Sequence, residues 1–267
     1  MLAGPLLAPV QIRPPALAEA GDLTPLLAPR FVAAARGAVE RGAIVLARAD
    51  LAHAAAAAVG LWAHEHAAWV LAELLDTALA PEDPPAVGSD CAIATTAVLG
   101  PRVTIGARVR VGPGTVIGHP GFGWATGPSG AVRAVPQLAG VVIDDDVSIG
   151  PLCTIDAGTL AATRIRRAAK LDAHVHVGHN ADVGAGSIIA AQCGFAGSVT
   201  IGEGVLIGGQ VGIADHVTVG ARARIAAKSG VISDVPEGVT VAGYPAVARG
   251  RWLRGLAKLY RSLGPVG

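Results

Sequence analysis

An apolar residue recurs at every sixth position between residues 165 and 231. Ten of these twelve positions hold Ile or Val, whose β-branched side chains favour a pleated, buried surface. The fifth position of each hexad always holds a small residue, namely Ala, Ser, Cys or Val. A helix repeats at 3.6 residues and cannot return one face to the core every six residues. The period therefore predicts a parallel β-helix, in which three hexads form one triangular coil.

The same phase extends upstream, so that the repeat comprises twenty-one hexads, or seven coils. Each hexad is predicted to give one short strand and one corner, with the Gly that often follows the apolar position supplying unusual turn angles. The phase is interrupted twice. A loop over residues 119–141 separates Ile117 from Ile143, and four extra residues separate Ile155 from Ile165. Loops that leave a rigid scaffold often carry function.

Both ends of the chain lack the six-residue phase. Residues 1–85 predict a small α/β cap with helices over residues 31–41 and 64–78 and a strand over residues 43–47. Residues 86–242 are assigned to the β-helix. Residues 243–267 form a C-terminal segment, with a helix predicted over residues 249–263. The fold class is mainly β.

Composition excludes several classes of function. The 267 residues carry a net charge of +1, which gives no global attraction to nucleic acid. All three cysteines occupy fifth positions of hexads, where they are expected to be buried filler. An odd number of cysteines favours a reducing compartment, and we expect a cytoplasmic protein.

The apolar N-terminus lacks a basic region and is not expected to be a signal peptide. Charged residues interrupt residues 51–75, so no membrane span is expected.

Two histidines and a glycine fall at one edge of the predicted prism. His179 and His216 are thirty-seven residues apart, two coils plus one residue, which predicts a separation of very roughly 10 Å. Gly197 lies between them, eighteen residues after His179, so its backbone N–H can lie beside that imidazole. A base with a nearby N–H donor is what acyl transfer requires.

Several motifs carry a resemblance to a known family. The stretches GFGWA at 121–125, LDAHVHVGHN at 171–180 and GGQVGIADHVTVG at 208–220 are similar to those of UDP-3-O-(3-hydroxyacyl)glucosamine N-acyltransferases. These enzymes of lipid A and lipopolysaccharide biosynthesis move a hydroxyacyl chain from acyl carrier protein to an amino sugar. The resemblance implies a left-handed helix, a homotrimer with active sites between subunits, and an acyl-phosphopantetheine thioester as co-substrate. No bound cofactor or metal is implied.

The resemblance also implies roles for individual residues. His179 matches the general base, Gly197 the oxyanion donor and His216 a second active-site histidine. The residues expected to bind substrate are Phe31, Phe122, Trp124, Asp156, Asp172, His176 and Asn180.

The chain departs from the family where the acceptor is recognised. The three residues that hold the uracil in the family fall on Pro25, Ala28 and Phe31, of which only Phe31 keeps a ring. Ala157 replaces an arginine, and His176 replaces a glutamine. The pattern therefore predicts that the residues for acyl transfer are intact, whereas the residues that contact the nucleotide sugar are altered. A different amino sugar or amine stays open as the acceptor.

The C-terminal helix is basic and contains no acid, since none follows Glu237. It carries Arg249, Arg251, Arg254 and Lys258, which form either a solvated face or a docking patch for acidic acyl carrier protein.

Three other classes of protein stay open at this stage. One is an acetyltransferase that takes its acyl group from acyl-CoA. Another is a carbonic anhydrase-like zinc enzyme, because His174 and His179 have the spacing of two zinc ligands in hexapeptide-repeat carbonic anhydrases. The third is a scaffold without catalysis.

Overall fold

The cap is a four-stranded sheet with one helix on each face. A computed structural model describes residues 2–3, 11–77, 83–244 and 248–262. The cap strands are β1 (Leu2–Ala3), β2 (Leu23–Leu26), β3 (Ile44–Arg48) and β4 (Leu61–His64), in the order β1-β4-β3-β2. Its helices are α1 (Val32–Glu40) and α2 (Ala67–Thr77), with short 3-10 helices at Pro29–Phe31 and Ala49–Ala55. Apolar side chains of β3 are buried on both faces of the sheet, against α1 and α2.

Within the described residues, the predicted helices and strand of the cap are confirmed, with two corrections; residue 78 of the second predicted helix lies outside them. His64 was placed in the second helix but belongs to β4, because residues 61–64 pair in parallel with β3. β2 was not predicted, since it contains Pro25. The strand tolerates this proline because it lies at the edge of the sheet, where an amide N–H is not required for pairing.

Three parallel sheets form the faces of the prism. The first face contains β7 (Val98–Leu99), β10 (Val116–Pro120), β15 (Thr154–Ala157), β18 (His176–Val177), β21 (Gly194–Phe195), β24 (Gly212–Ile213) and β27 (Gly230–Val231). The second contains β5 (Ala86–Val87), β8 (Val103–Ile105), β13 (Val141–Ile143), β16 (Thr163–Ile165), β19 (Asp182–Val183), β22 (Thr200–Ile201) and β25 (Thr218–Val219). The third contains β6 (Ala92–Ile93), β9 (Arg110–Val111), β14 (Ser148–Ile149), β17 (Lys170–Leu171), β20 (Ile188–Ile189), β23 (Leu206–Ile207), β26 (Arg224–Ile225) and β28 (Thr240–Val241).

The pairing register confirms the parallel β-helix of stacked coils. On the first face Val177 lies beside Phe195, and Phe195 lies beside Ile213, so each coil adds eighteen residues. The apolar first positions and the small fifth positions fill one continuous core along the axis. The cysteines at fifth positions are free, as expected. Cys153 and Cys193 are buried, whereas Cys91 is partly exposed near the open end.

The turns differ from the sequence prediction in the role of glycine. In most hexads the fourth residue, rather than the second, has a positive φ, as at His174, Asn180 and His216, whose φ values lie between 58° and 61°; Gly118 is an exception among the second positions. The glycine at the second position is required for a different reason. A Cβ added to Gly208 would lie 2.5 Å from the backbone nitrogen of Ala227 in the next coil. The prediction of unusual angles at this position was therefore wrong, and close packing between coils explains the glycine.

Both interruptions leave the prism at the same corner, in adjacent coils. β10 pairs with β15. The long loop follows β10, and the four-residue insertion follows β15. The long loop contains an unpredicted antiparallel hairpin, β11 (Trp124–Thr126) and β12 (Val132–Ala134), with a 3-10 turn at Pro128–Gly130 between them. Arg133 fixes this hairpin to the cap, because its guanidinium forms an ion pair with Asp76 at 2.6 Å and lies over the ring of Trp69.

The C-terminal helix α3 (Arg249–Ser262) projects its side chains into solvent, and residue 263 of the predicted helix lies outside the described residues. Trp252, Leu253, Leu259 and Tyr260 are exposed on it. Within the described part of the chain, no helix combines the length and the apolar character that a membrane crossing needs.

The packing of second-position glycines predicts a difference between two Gly→Ala variants. Gly208→Ala should lower the melting temperature by several degrees, because a Cβ would overlap the backbone of the next coil and overpacking costs about 1–3 kcal/mol. Gly212→Ala is the matched control, since nothing lies within 4 Å of its added Cβ. Differential scanning calorimetry measures both, and equal melting temperatures for the two variants would contradict this account of coil packing.

Candidate active site

The corner between the first and second faces stacks the predicted catalytic residues in successive coils. The turns of three neighbouring coils place His179, Gly197 and His216 along one edge. Backbone hydrogen bonds hold this stack, because Ser198 N–H donates to the carbonyl of His179 at 2.8 Å and His216 N–H donates to that of Gly197 at 3.1 Å. His179, Gly197 and His216 line one cavity of about 410 Å³.

His179 is held between two glycines. A Cβ on Gly197 would lie 2.6 Å from Nε2 of His179, and a Cβ on Gly121 would lie 2.5 Å from its Cβ. Any side chain at either position would displace the imidazole. Gly121, the first glycine of the GFGWA motif, therefore lets the long loop pass close to His179. Gly197, in the next coil, leaves room for the imidazole ring.

Asn180 fixes the orientation and the tautomer of His179. The Asn180 amide nitrogen donates to the carbonyl of Ala161 at 2.6 Å, so its Oδ1 must be the acceptor that faces His179 Nδ1 at 3.0 Å. Thr159 donates to the same oxygen from its backbone N–H at 3.2 Å. The neutral imidazole thus carries its proton on Nδ1 and presents the lone pair of Nε2 toward Gly197. This arrangement suits a general base.

The backbone N–H of Gly197 donates to no protein acceptor within residues 83–244 or the other described segments. The neighbouring amides of Ala196 and Ser198 donate to Ile213 and His179, respectively, whereas this amide takes no part in the ladder between coils. Because Gly197 borders the same cavity as His179, its N–H is available to a ligand oxygen.

His216 is covered by the cap of the same chain. The ring of Phe31 contacts the His216 ring edge to face, with centroids 5.7 Å apart, and Arg30 lies 3.9 Å from Asp215 beside it. Burial lowers the pKa of His216, and the positive charge of Arg30 adds to that effect. His216 is therefore a neutral imidazole around neutral pH, with the ring of Phe31 packed against it.

A second cavity of about 520 Å³ opens between β10 and the hairpin. Its lining is mostly apolar and includes Val116, Phe122, Trp124 and Ala134. Phe122 is 85% exposed in the chain, and its ring lies 6.1 Å from that of Trp124. Phe122 borders both cavities, so the two form one continuous cleft along this edge.

Asp156 lies at the junction of the two cavities, and a bulge in β10 determines what faces it. The register between β10 and β15 shifts after Ile117, where Gly118 has a φ of 89°, and His119 is thereby placed opposite Asp156. The Asp156 carboxylate lies 4.0 Å from His119 Nδ1 and 3.8 Å from His176 Nε2. Burial raises its pKa, while the neighbouring histidines oppose that shift. His119 was missed by the sequence analysis, since no six-residue register predicts a bulge.

Some predicted site residues lie elsewhere in the chain. Asp172 is exposed at the corner between the third and first faces, where it accepts a hydrogen bond from Ala173 N–H, and it lines neither cavity. Pro25 is buried in β2 and offers no surface to a nucleobase. The basic residues of α3 line neither cavity.

Comparisons with known proteins agree with this architecture. The model of the bacterial transferase hexapeptide family, six repeats, matches residues 84–119 and 198–233. The chain is 48% identical over 178 residues to a UDP-3-O-acylglucosamine N-acyltransferase of Anaeromyxobacter dehalogenans, covering 65% of this chain and 50% of that protein. A protein with the same name from Caulobacter vibrioides is 50% identical over 177 residues, covering 66% and 52%. The chain thus spans about half the length of the curated relatives it matches.

Solved structures share the fold. A UDP-N-acetylglucosamine acyltransferase from Bacteroides fragilis superposes with a TM-score of 0.53 at 21% identity, over 71% of this chain and 83% of that one. One from Campylobacter jejuni gives 0.51 at 22% identity, over 68% and 81%. The resemblance indicated by the sequence motifs is therefore confirmed: over its matched part, this chain of six-residue repeats is similar to proteins named UDP-3-O-acylglucosamine N-acyltransferase.

Proposed function

We propose that the protein is an N-acyltransferase that moves an acyl chain, of the 3-hydroxyacyl class, from an acyl carrier protein thioester to the amine of an amino sugar. The observation that carries the proposal is the pairing of His179 with Gly197. A lone pair on Nε2 and an unpaired backbone N–H border one cavity, and this is the geometry that attack on a thioester needs. The relatives' name makes the UDP-3-O-acylglucosamine step of lipid A biosynthesis the first assignment to test.

The reaction follows from these groups. The acceptor amine attacks the thioester carbonyl and forms the new C–N bond, while His179 Nε2 takes a proton from the attacking nitrogen. The carbonyl oxygen becomes an oxyanion, which accepts a hydrogen bond from Gly197 N–H. The intermediate then expels the thiolate as the C–S bond breaks. The imidazolium of His179 returns its proton to the sulfur, leaving an amide and a free carrier thiol.

The apolar cavity beside the hairpin suits the acyl chain or an acyl group already on the acceptor. Its walls include Val116, Phe122, Trp124 and Ala134, which favour hydrocarbon by burial of apolar surface. It meets the His179 cavity at Phe122, so a chain lying in it would place its reactive end near the base. Asp156 and His176 stand at the same junction and are proposed to contact the acceptor.

α3 is proposed to dock the carrier protein. Its basic side chains Arg251, Arg254, Lys258 and Arg261 fall within about 80° of arc at 3.6 residues per turn. Arg249 falls on the opposite side and is the least suited of the predicted docking residues. A patch of four cations with no acid on the same helix complements an acidic partner.

The protein is proposed to act as a homotrimer. The side of α3 opposite the basic patch exposes Trp252, Leu253, Leu259 and Tyr260, an apolar stripe typical of a helix that packs against another helix. The cleft beside His179 is open along one edge of a single chain, which suits a site completed by a neighbouring subunit. Asp172 lies at a different corner of the prism and would reach the cleft only from such a neighbour.

The zinc alternative has little support in this arrangement. Among the described residues, no group of three or more His, Cys, Asp or Glu side chains is placed to hold a metal ion. His174 and His179 occupy successive corners of the prism, and Asn180 already engages the Nδ1 of His179.

The first prediction concerns the base. His179→Ala should lower kcat by about 100- to 10,000-fold, the usual contribution of a general base, with the melting temperature nearly unchanged. His53→Asn, at an exposed position of the cap that lines neither cavity, is the matched control and should keep full activity. Transfer from acyl carrier protein is followed by mass spectrometry. A His179→Ala variant with more than a tenth of the wild-type rate would remove His179 from this role.

The second prediction concerns the carrier protein. Reversing Arg251 and Arg254 to Glu should raise KM for the acyl carrier protein, with little change in kcat, because docking rather than chemistry is affected. Since exposed charges are screened within about 8 Å at physiological salt, the wild-type KM should rise with ionic strength. Reversal of Arg36 in the cap and Arg110 on an early coil is the charge-matched control. A KM that does not depend on salt would favour an acyl-CoA donor.

The third prediction concerns the cover over His216. Phe31→Ala should raise the pKa of His216 toward the ordinary value of about 6.5, because removing the ring relieves the burial that lowers it. NMR titration of ¹³C-labelled histidine measures this, with His216→Gln assigning the signal. Trp252→Ala, which removes a distant ring, should leave the titration of His216 unchanged. The cap does not cover His216 in solution if Phe31→Ala also leaves it unchanged.

A further inference from the structure

The Asp156 carboxylate is buried and lacks a hydrogen-bond donor. Its side chain is 9% exposed, and none of the hydrogen bonds within residues 83–244 or the other described segments ends on its oxygens. The nearest cationic or potentially cationic atoms are imidazole nitrogens at 3.8 and 4.0 Å, beyond hydrogen-bond reach. Asp156 lines both cavities, so a ligand or solvent molecule in the cleft can supply the donors that the protein does not.

The neighbouring histidines do not complete the site. His176 Nδ1 is engaged by the hydroxyl of Thr154 at 2.8 Å, which holds the ring with Nε2 toward Asp156 at a distance of 3.8 Å. His119 is 68% exposed on its side chain and lies at the outer side of the carboxylate. Both rings line the apolar cavity together with Asp156, at the distances given above.

The position of Asp156 relative to the base limits what the missing donor can be. Asp156 borders the cavity that His179 and Gly197 also line. One small molecule in this cavity can therefore donate a hydrogen bond to Asp156 and also contact His179 and Gly197. The other carboxylate at that cavity, Asp215, faces Arg30 at 3.9 Å. Asp156 is therefore the acidic group in this cavity that has no arginine or lysine beside it.

We propose that Asp156 binds the ammonium form of the acceptor's amino group and so positions the nitrogen beside His179, an inference that rests on the proposed function. An ammonium supplies up to three strong donors to a carboxylate that has none, and it neutralises the buried charge. Burial raises the pKa of Asp156 because it destabilises the charged carboxylate, and a bound cation would offset that destabilisation. Asp156 is thus a binding group that selects amines over hydroxyls.

The protons balance in this scheme. One proton leaves the ammonium to solvent and gives the free amine, which stays hydrogen-bonded to Asp156. A second proton passes from the nitrogen to His179 Nε2 during attack on the thioester. That proton then protonates the leaving thiol, so that the reaction releases one proton for each ammonium converted to amide.

The test compares two probes that differ only at one position of the sugar. UDP-glucosamine and UDP-glucose are titrated into the wild-type protein and into Asp156→Asn, without any acyl donor, by ligand-observed NMR or calorimetry. The wild type should bind UDP-glucosamine on the order of tenfold more tightly, as expected for a charge-assisted hydrogen bond. Asp156→Asn should lose this preference while its affinity for UDP-glucose changes by less than about twofold.

Two controls separate the proposal from trivial effects. Asp90→Asn changes an exposed aspartate on an early coil, at a positive φ that Asn tolerates, and should keep the preference. Asp156→Asn should melt at or above the wild-type temperature, because it removes an unpaired buried charge.

Three results would overturn the proposal. One is equal binding of both probes by the wild type. Another is a preference that survives in Asp156→Asn. The third is an equal loss of affinity for both probes, which would assign Asp156 to a shared hydroxyl. None of these depends on turnover. Absence of amide formation by the wild type would instead count against the proposed function alone.

Discussion

The hydrogen-bond ladder between successive coils is the constraint on which the rest of the molecule depends. Outside the bulge at Gly118, each strand of the prism pairs with the strand one coil away in parallel register, as Val177 does with Phe195, so each corner lies directly above the corner of the previous coil. Residues far apart in sequence are thereby brought to one edge at a fixed spacing of about 4.8 Å per coil. His179, Gly197 and His216 are aligned by this ladder before any side-chain contact is considered.

The corner that carries His179 is also the place where the regular six-residue repeat is interrupted. Both insertions leave the prism there, and they reach His179 either directly or through Asn180. The long loop passes Gly121 over the imidazole, and the short insertion supplies Thr159 and the carbonyl of Ala161 to Asn180. A rigid scaffold thus holds the base, while the inserted segments determine its tautomer and close the cleft. The cap contributes Phe31, which packs against His216, and Arg30, which lies near Asp215.

The sequence predicted those features that repeat and missed those that occur once. The six-residue phase located the prism, both insertions and the edge shared by His179 and His216, because the periodic burial of Ile and Val has one structural solution. The bulge at Gly118, which turns His119 toward Asp156, breaks the period and left no signal. The hairpin β11–β12 depends on contacts with Trp69 and Asp76 in the distant cap, which no local pattern encodes. The role assigned to second-position glycines was also wrong, since only packing between coils shows that a Cβ would clash.

The central claim is that this edge forms an amide from a thioester and an amine. The most direct measurement is mass spectrometry of the products formed from a panel of acyl carrier protein and CoA thioesters, offered with UDP-linked and free amino sugars. The account predicts an acylated amino sugar, with the acyl group on nitrogen and stable to mild base, together with free carrier thiol. Hydrolysis of the thioesters alone, or acyl transfer that gives only base-labile esters, would contradict it.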